Sequence, residues 1–274
     1  MRTFPVWFCE FLCLPGSLLF YLVAKDQRRA IQHNLMALSP DLDSWTAQWR
    51  GSQVFYQFAL VYLDRLYHMH FSREVTWDLP EMELLEKLRN EQCGVLIFTA
   101  HSGNYDIGAS LFASKLKRPV HIVRVPERSA ELQNIREAEL CQDGNLRVHY
   151  NTGSDAHLGL ELCKLIKSGE FVAVQGDRVV MEVSPLPKQH GSVRFRLPKG
   201  PLVLAEVTRC PCYPIFLTRS GFLRYRIDVS PPFLGQGEAL KADQIAKRWL
   251  DILMPFVANH FEQWFVFEPL IDLV

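Results

Sequence analysis

Gly94–Lys117 reads GVLIFTAHSGNYDIGASLFASKLK. Val95, Leu96, Ile97 and Phe98 form an unbroken apolar run between Gly94 and the small polar Thr99, the pattern of a buried strand. From Ile107 the apolar residues change to helical spacing, at Ile107, Leu111, Phe112 and Leu116. Between strand and helix lies the polar turn HSGNYD, where a rigid scaffold aims loop side chains outward. The alternation continues downstream. Pro119–Val125 (PVHIVRV), Arg147–Tyr150 and Phe171–Gln175 (FVAVQ) read as strands, with helices over Glu127–Leu140 and Ala156–Lys167. Such β–α repetition predicts an α/β fold, a mostly parallel central sheet flanked by helices.

The turn itself carries the first chemistry. His101 and Asp106 are five positions apart, which on one regular helix would set them about 140° from each other. They can meet only with His101 in the turn and Asp106 in the first helical turn, and Gly103 supplies the backbone freedom for this. A carboxylate near a helix N-terminus suits the macrodipole. In such a pair the acid holds one imidazole nitrogen as a donor and leaves the other to take a proton from an attacking hydroxyl.

Composition narrows the class. Thirty acidic and 30 basic residues cancel in a chain of 274, which argues against a nucleic-acid binder relying on phosphate neutralisation. The length supports one sizeable core. Seven cysteines without framework spacing read as reduced thiols, and Cys210-Pro-Cys212 has no histidine at zinc-like spacing, so no metal is expected. Residues 4–24, FPVWFCEFLCLPGSLLFYLVA, are long enough to span a bilayer. Glu10 lies inside the stretch and Pro15-Gly16 is expected to break it. A kinked transmembrane helix, a re-entrant hairpin and an interfacial anchor all fit. Lys25, Arg28 and Arg29 follow at once, and by the positive-inside tendency they place the downstream chain in the cytoplasm. The domain reading is therefore a membrane-anchor segment over residues 1–24 and a single domain over 25–274.

The rest of the chain is read as helices over 26–38 and 43–69, the second rich in aromatics, then a short helix over Pro80–Arg89. Residues 181–200 read as mostly irregular, with a short strand in SVRFRL that puts Arg194 and Arg196 on one face. Gly221-Phe222 reads as a hairpin turn and residues 239–259 as a helix.

H-x4-D after a strand resembles the first motif of the glycerolipid and lysophospholipid acyltransferase superfamily. The fuller HSGNYD looks most like the branch of the bacterial lipid A late acyltransferases, with Tyr105 in place of the usual Trp and Asp106 in place of the usual Glu. RRAIQHNLMALSP (28–40), LPKGPLVLAEVTRCPCYPIFLTR (197–219) and HFEQWFVFEP (260–269) resemble further blocks of the same family, in the same order. Gln175-Gly176-Asp177-Arg178 is similar in place and character to a motif around E-G-T-R, or Asp-Gln in the lipid A branch.

The resemblance implies an O-acyltransferase bound to the bacterial inner membrane, its catalytic domain facing the cytoplasm. It would move an acyl group from acyl carrier protein or coenzyme A to a hydroxyl of a lipid or glycolipid, with no cofactor. His101 would be the general base and Asp106 its orienting acid. Asn104, Arg124, Asp177, Arg178, Arg196 and Lys199 would contact substrate. A thioester hydrolase or lipase using the same pair is the enzymatic rival, though no G-x-S-x-G elbow is present. A catalytically inactive lipid-binding scaffold is the rival outside enzymes.

Overall fold

The computed structural model describes the chain from residue 5 to 274, apart from residues 128, 132, 135–136, 138–143, 154–155 and 180–184 and the side chains of 106, 111 and 156. Three helices open it: α1 (Val6–Val23), α2 (Lys25–Leu38) and α3 (Ser44–Phe71). Then come β1 (Thr76–Asp78), α4 (Met82–Arg89), β2 (Val95–Thr99), α5 (Tyr105–Leu116), β3 (Val120–Arg124) and β4 (Leu146–Tyr150). A helix over Ala156–Lys167 leads to β5 (Phe171–Gln175). The hairpin of β6 (Pro185–His190) and β7 (Val193–Pro198) precedes a helix over Lys199–Thr208. The hairpin of β8 (Cys212–Gly221) and β9 (Arg224–Val229), a helix over Ala242–Asn259 and β10 (Ile271–Leu273) complete the chain.

Seven strands form the central sheet in the order β1-β9-β8-β2-β5-β3-β4. β2 is parallel to both β5 and β8, and β3 is parallel to β4 and β5; only the β8–β9 pair is antiparallel. β2 is apolar on both faces because helices cover both, and Val95, Leu96, Ile97 and Phe98 are all buried. The predicted α/β fold and its parallel sheet are therefore observed. The expected helix over 127–140 falls largely outside the described residues.

Two local readings are corrected. The stretch over 181–200 holds a full hairpin, which with β10 makes a second, antiparallel sheet in the order β10-β7-β6. Pro185 and Pro187 hid β6, but β6 is an edge strand, where a missing N–H costs no ladder bond. Pro15-Gly16 does not break the N-terminal stretch either: α1 runs continuously through Pro15. Its side-chain carboxylate Glu10 accepts from Arg219 Nη2 of β8 at 2.8 Å, so it belongs to a contact 209 residues away.

The start of β2 leaves no room for a side chain. A Cβ on Gly94 would overlap the carbonyl of Ile166, whereas one on Gly159 would meet nothing. Gly94→Ala is expected to cost about 2–4 kcal/mol in chemical denaturation, and Gly159→Ala to cost nothing or to stabilise its helix slightly. Equal effects of the two substitutions would contradict this packing.

Candidate active site

The register of two neighbouring strands builds the site. Thr99 of β2 is paired with Gln175 of β5, and the Gly176 N–H donates to the Thr99 carbonyl at 2.9 Å. His101 and Asp177 each lie two residues beyond that pair, so they leave adjacent parallel strands side by side. The site therefore sits at the carboxyl ends of the strands, where open α/β sheets bind their ligands.

His101 is held twice by one carboxylate. Its Nδ1 lies 2.8 Å from Asp177 Oδ1, and its backbone N–H donates to Asp177 Oδ2 at 2.8 Å. The Trp264 indole N–H donates to the same Oδ2 at 2.8 Å. Asp177 is fully buried. Burial alone pushes its pKa up, but the facing His101 ring, the two bonds from His101 and the Trp264 indole outweigh this and hold it below the ordinary carboxylate value. An ionised carboxylate there accepts the Nδ1 proton and leaves Nε2 unprotonated in the neutral ring. Among the described residues none hydrogen-bonds Nε2. Tyr105 meets the imidazole edge-on, with ring centroids 5.5 Å apart.

The polypeptide around the turn is fixed from behind. Gly103 has φ +53°, and a Cβ there would stand 2.7 Å from the Leu217 carbonyl oxygen, so glycine is required on both counts. The Gly103 N–H donates to the Gln263 carbonyl at 3.3 Å, and the Phe265 N–H to the His101 carbonyl at 2.7 Å. Gln263 in turn brackets Arg219, accepting from its N–H at 2.6 Å and donating to its carbonyl at 2.9 Å. The Arg219 guanidinium lies on buried Asp64, with Nε 2.8 Å from Oδ2, and the Tyr225 hydroxyl donates to that oxygen at 2.7 Å. Burial opposes the charge on Arg219, but Asp64 and Glu10 outweigh it and raise its pKa above the ordinary value.

His101 lines a cavity of about 600 Å³. Its walls are largely apolar: Phe112, Ile122, Leu158, Leu162, Leu204 and Ile215 are among them. Arg124 and Arg178 also reach it. Arg124 lies 3.9 Å from Glu127, itself a lining residue. Arg178 Nε is buried and, among the described residues, without a hydrogen-bond partner, which is costly unless a ligand supplies one.

The expected site residues divide accordingly. The structure brings together His101, Arg124, Asp177 and Arg178. Lys199 is exposed, between Pro198 and Gly200, which line the cavity. Asp177 stands in the sequence reading as a substrate contact; the structure instead turns both its oxygens onto His101 and Trp264. Asn104 caps α5, its Oδ1 accepting from the Ile107 N–H at 3.4 Å while its Nδ2 donates to the Val61 carbonyl of α3 at 3.4 Å. Arg196 faces Asp272 of β10 at 3.6 Å, in the second sheet. Asp106 is the second residue of α5, and its side chain lies outside the described residues. The residues that sequence reasoning missed are the supporting ones, Asp64, Arg219, Gln263 and Trp264; Arg219 closes the family-like block over 197–219 and Gln263-Trp264 lies within the one at 260–269, which was the available signal.

A buried imidazole–carboxylate pair beside a large apolar cavity, at the carboxyl edge of a parallel sheet, defines the class: an α/β protein whose polar, histidine-centred site opens onto an apolar cavity. The family model described as bacterial lipid A biosynthesis acyltransferase matches residues 1–271. The chain belongs to that family, and is an acyltransferase acting on lipid. No curated protein sequence matches it.

The lowered pKa of Asp177 has a definite sign. A carboxyl whose folded pKa is depressed stabilises the fold above its unfolded value, about 3.9, and that contribution is lost as pH falls through the folded value. Wild type is expected to melt above Asp177→Asn at about pH 5, with the gap closing progressively below about pH 4. A gap unchanged down to about pH 2 would contradict an ionised Asp177.

Proposed function

We propose that the protein transfers a fatty acyl group from an acyl thioester, on acyl carrier protein or coenzyme A, to a hydroxyl of a lipid or glycolipid. The observation that carries this reading is the 2.8 Å contact of His101 Nδ1 with buried Asp177 at the wall of the apolar cavity. The cavity takes the acyl chain, since its walls offer that chain the burial it seeks. His101 Nε2 takes the proton of the acceptor hydroxyl as that oxygen attacks the thioester carbonyl. The C–S bond then breaks, and the thiolate leaves with the proton returned from the imidazolium. Asp177 holds the ring in the required tautomer and stabilises the imidazolium without taking its proton.

Negative charge develops on the carbonyl oxygen, and a donor must meet it. The Gly103 N–H is already given to Gln263 and the Ser102 N–H to Ala100. Arg178, with a buried Nε–H open towards no described partner, is the donor we assign. The family pattern gives the orienting role to Asp106; the geometry supports Asp177. The reaction is placed at the bacterial inner membrane, with the domain on the cytoplasmic side, supported by the apolar N-terminal helix and by Lys25, Arg28 and Arg29 after it. The acceptor is a lipid A precursor or another hydroxylated lipid of that membrane, phospholipids included.

The variants separate these roles. Asp177→Asn retains one acceptor oxygen for the two N–H groups on Oδ2 and turns its amide N–H₂ to Nδ1. That forces the Nε2–H tautomer, and kcat is expected to fall about 10³–10⁴-fold. His101→Ala should fall as far, Arg178→Gln about 10²-fold, and Asp106→Asn much less than Asp177→Asn. The assay is consumption of acyl carrier protein thioester with and without lipid acceptor, joined to mass spectrometry of whole-lipid extracts. Activity in His101→Ala, or a larger loss in Asp106→Asn than in Asp177→Asn, would contradict the assignment. Thioester consumption independent of acceptor would make the protein a hydrolase.

A further inference from the structure

The cavity beside His101 has two lobes, one on each face of the central sheet. β3 pairs with β5 only as far as Ile122 and Ala173, whereas β5 stays with β2 to Gln175 and β3 stays with β4 to Arg124. The sheet therefore parts between β3 and β5 at its carboxyl end, and residues of both faces line the space. Side chains alternate along a strand, which sorts them. Phe98 and Phe216 meet Trp249 of the helix over Ala242–Asn259, with ring centroids 5.1 and 5.8 Å away, and Val174, level with Phe98, shares that face. Ile97, Ala173, Ile122 and Leu217 have the opposite parity and face α5, where a Cβ on Gly108 would overlap Leu217. His101 belongs to the α5 side, since Tyr105 of that helix meets its ring.

The lobes differ in enclosure. On the Trp249 face, the helix over Lys199–Thr208 packs on the Trp249 helix, and the helix over Ala156–Lys167 packs on it in turn. That lobe is open at Gly159 and Gly200: both are exposed, and a Cβ on either would meet nothing. The α5 lobe is blind. Ile97, Ala173 and Ile122 stand level with one another at its lower end. The next layer down on that face, Val95, Phe171 and Val120, is no more than 2% exposed and closes it. Ala173 is only half-buried in the middle of a central strand, although Val172 and Val174 beside it are buried. Its methyl group leaves space unfilled between two isoleucines. This layer lies four residues below His101, about 13 Å along the strand. Phe112 bounds the same end from the helix side. It is seven residues on from Tyr105, about 10 Å further down α5.

An apolar chain gains most where it leaves water completely, and in the transfer reaction the thioester carbonyl stands at His101. We propose that the acyl chain lies in the blind α5 lobe with its methyl end over Ala173, and that Ala173 and Phe112 are specificity-determining residues that set the longest chain accepted. This rests on the reading of the protein as an acyl-thioester transferase and names the part of the donor that the site measures. Ile97, Ile122, Ala173 and Phe112 offer the tail no polar group, so the end of the lobe discriminates by length.

The test is a series of straight-chain acyl carrier protein thioesters, from octanoyl to stearoyl, assayed with the full-length protein and the total lipid of its source bacterium as acceptor. Ala173→Leu is expected to lower kcat/KM at least about 10-fold for the longest thioester that wild type takes and to leave the octanoyl thioester unaffected. Phe112→Ala is expected to do the reverse, raising the relative kcat/KM of thioesters longer than the wild-type optimum about 10-fold, a gain that general damage does not produce. Gly159→Leu, which fills space in the open lobe, should leave the ranking of chain lengths as in wild type. Melting curves show which variants fold; if Ala173→Leu does not, Ala173→Val and Phe112→Ala carry the same comparison. Equal losses at every chain length in the Ala173 and Phe112 variants would overturn the proposal, and a ranking shifted by Gly159→Leu alone would place the chain on the opposite face. Either result leaves the transferase reading intact. A wild type that consumes no thioester of any length removes that reading as well.

Discussion

Three remote parts of the chain converge on the carboxylate of Asp177. The loop after β2 contributes the backbone and ring of His101, the end of β5 contributes the acid, and the C-terminal segment contributes the Trp264 indole. Burying a carboxylate is costly unless its oxygens are fully paired. Here three donors offset that cost, and together they fix both the tautomer and the direction of the imidazole. Take the acid away and three buried donors lose their partner at once, so the same group that would orient a base also holds the loop and the C-terminal segment together.

Behind the turn, a second buried charge cluster does related work on the scaffold. Asp64 and Glu10 hold Arg219, and the Arg219 backbone is bracketed by Gln263, which meets Gly103. Helices α1 and α3, the β8–β9 hairpin and the C-terminal segment are thus joined through hydrogen bonds to the loop that carries His101. The apolar exterior of α1 and the polar turn at the cavity are in this sense parts of one structure.

The β2–turn–α5 unit was legible in the residues because a strand covered on both faces is apolar throughout and an adjacent helix shows its own period. Most other helices and sheet strands were legible for the same reason. The acid that pairs with His101 was not. Local spacing can rank only local partners, and it favoured Asp106; Asp177 is 76 residues away and arrives through the β2–β5 register, which depends on sheet order. Glu10 and Pro15 looked like interruptions of an apolar helix. One faces a buried arginine of β8, and the other is accommodated within a continuous helix. Pro185 and Pro187 concealed a strand because the edge position that tolerates them cannot be seen before the sheet is assembled.

The central claim is that Asp177 sets the protonation pattern of His101, and nitrogen NMR of selectively labelled histidine reads it most directly. At a pH where the ring is neutral, His101 is expected to carry its proton on Nδ1 with Nε2 bare, and Asp177→Asn to move that proton to Nε2. A wild-type ring protonated on Nε2, or a tautomer indifferent to Asp177→Asn, would contradict the claim.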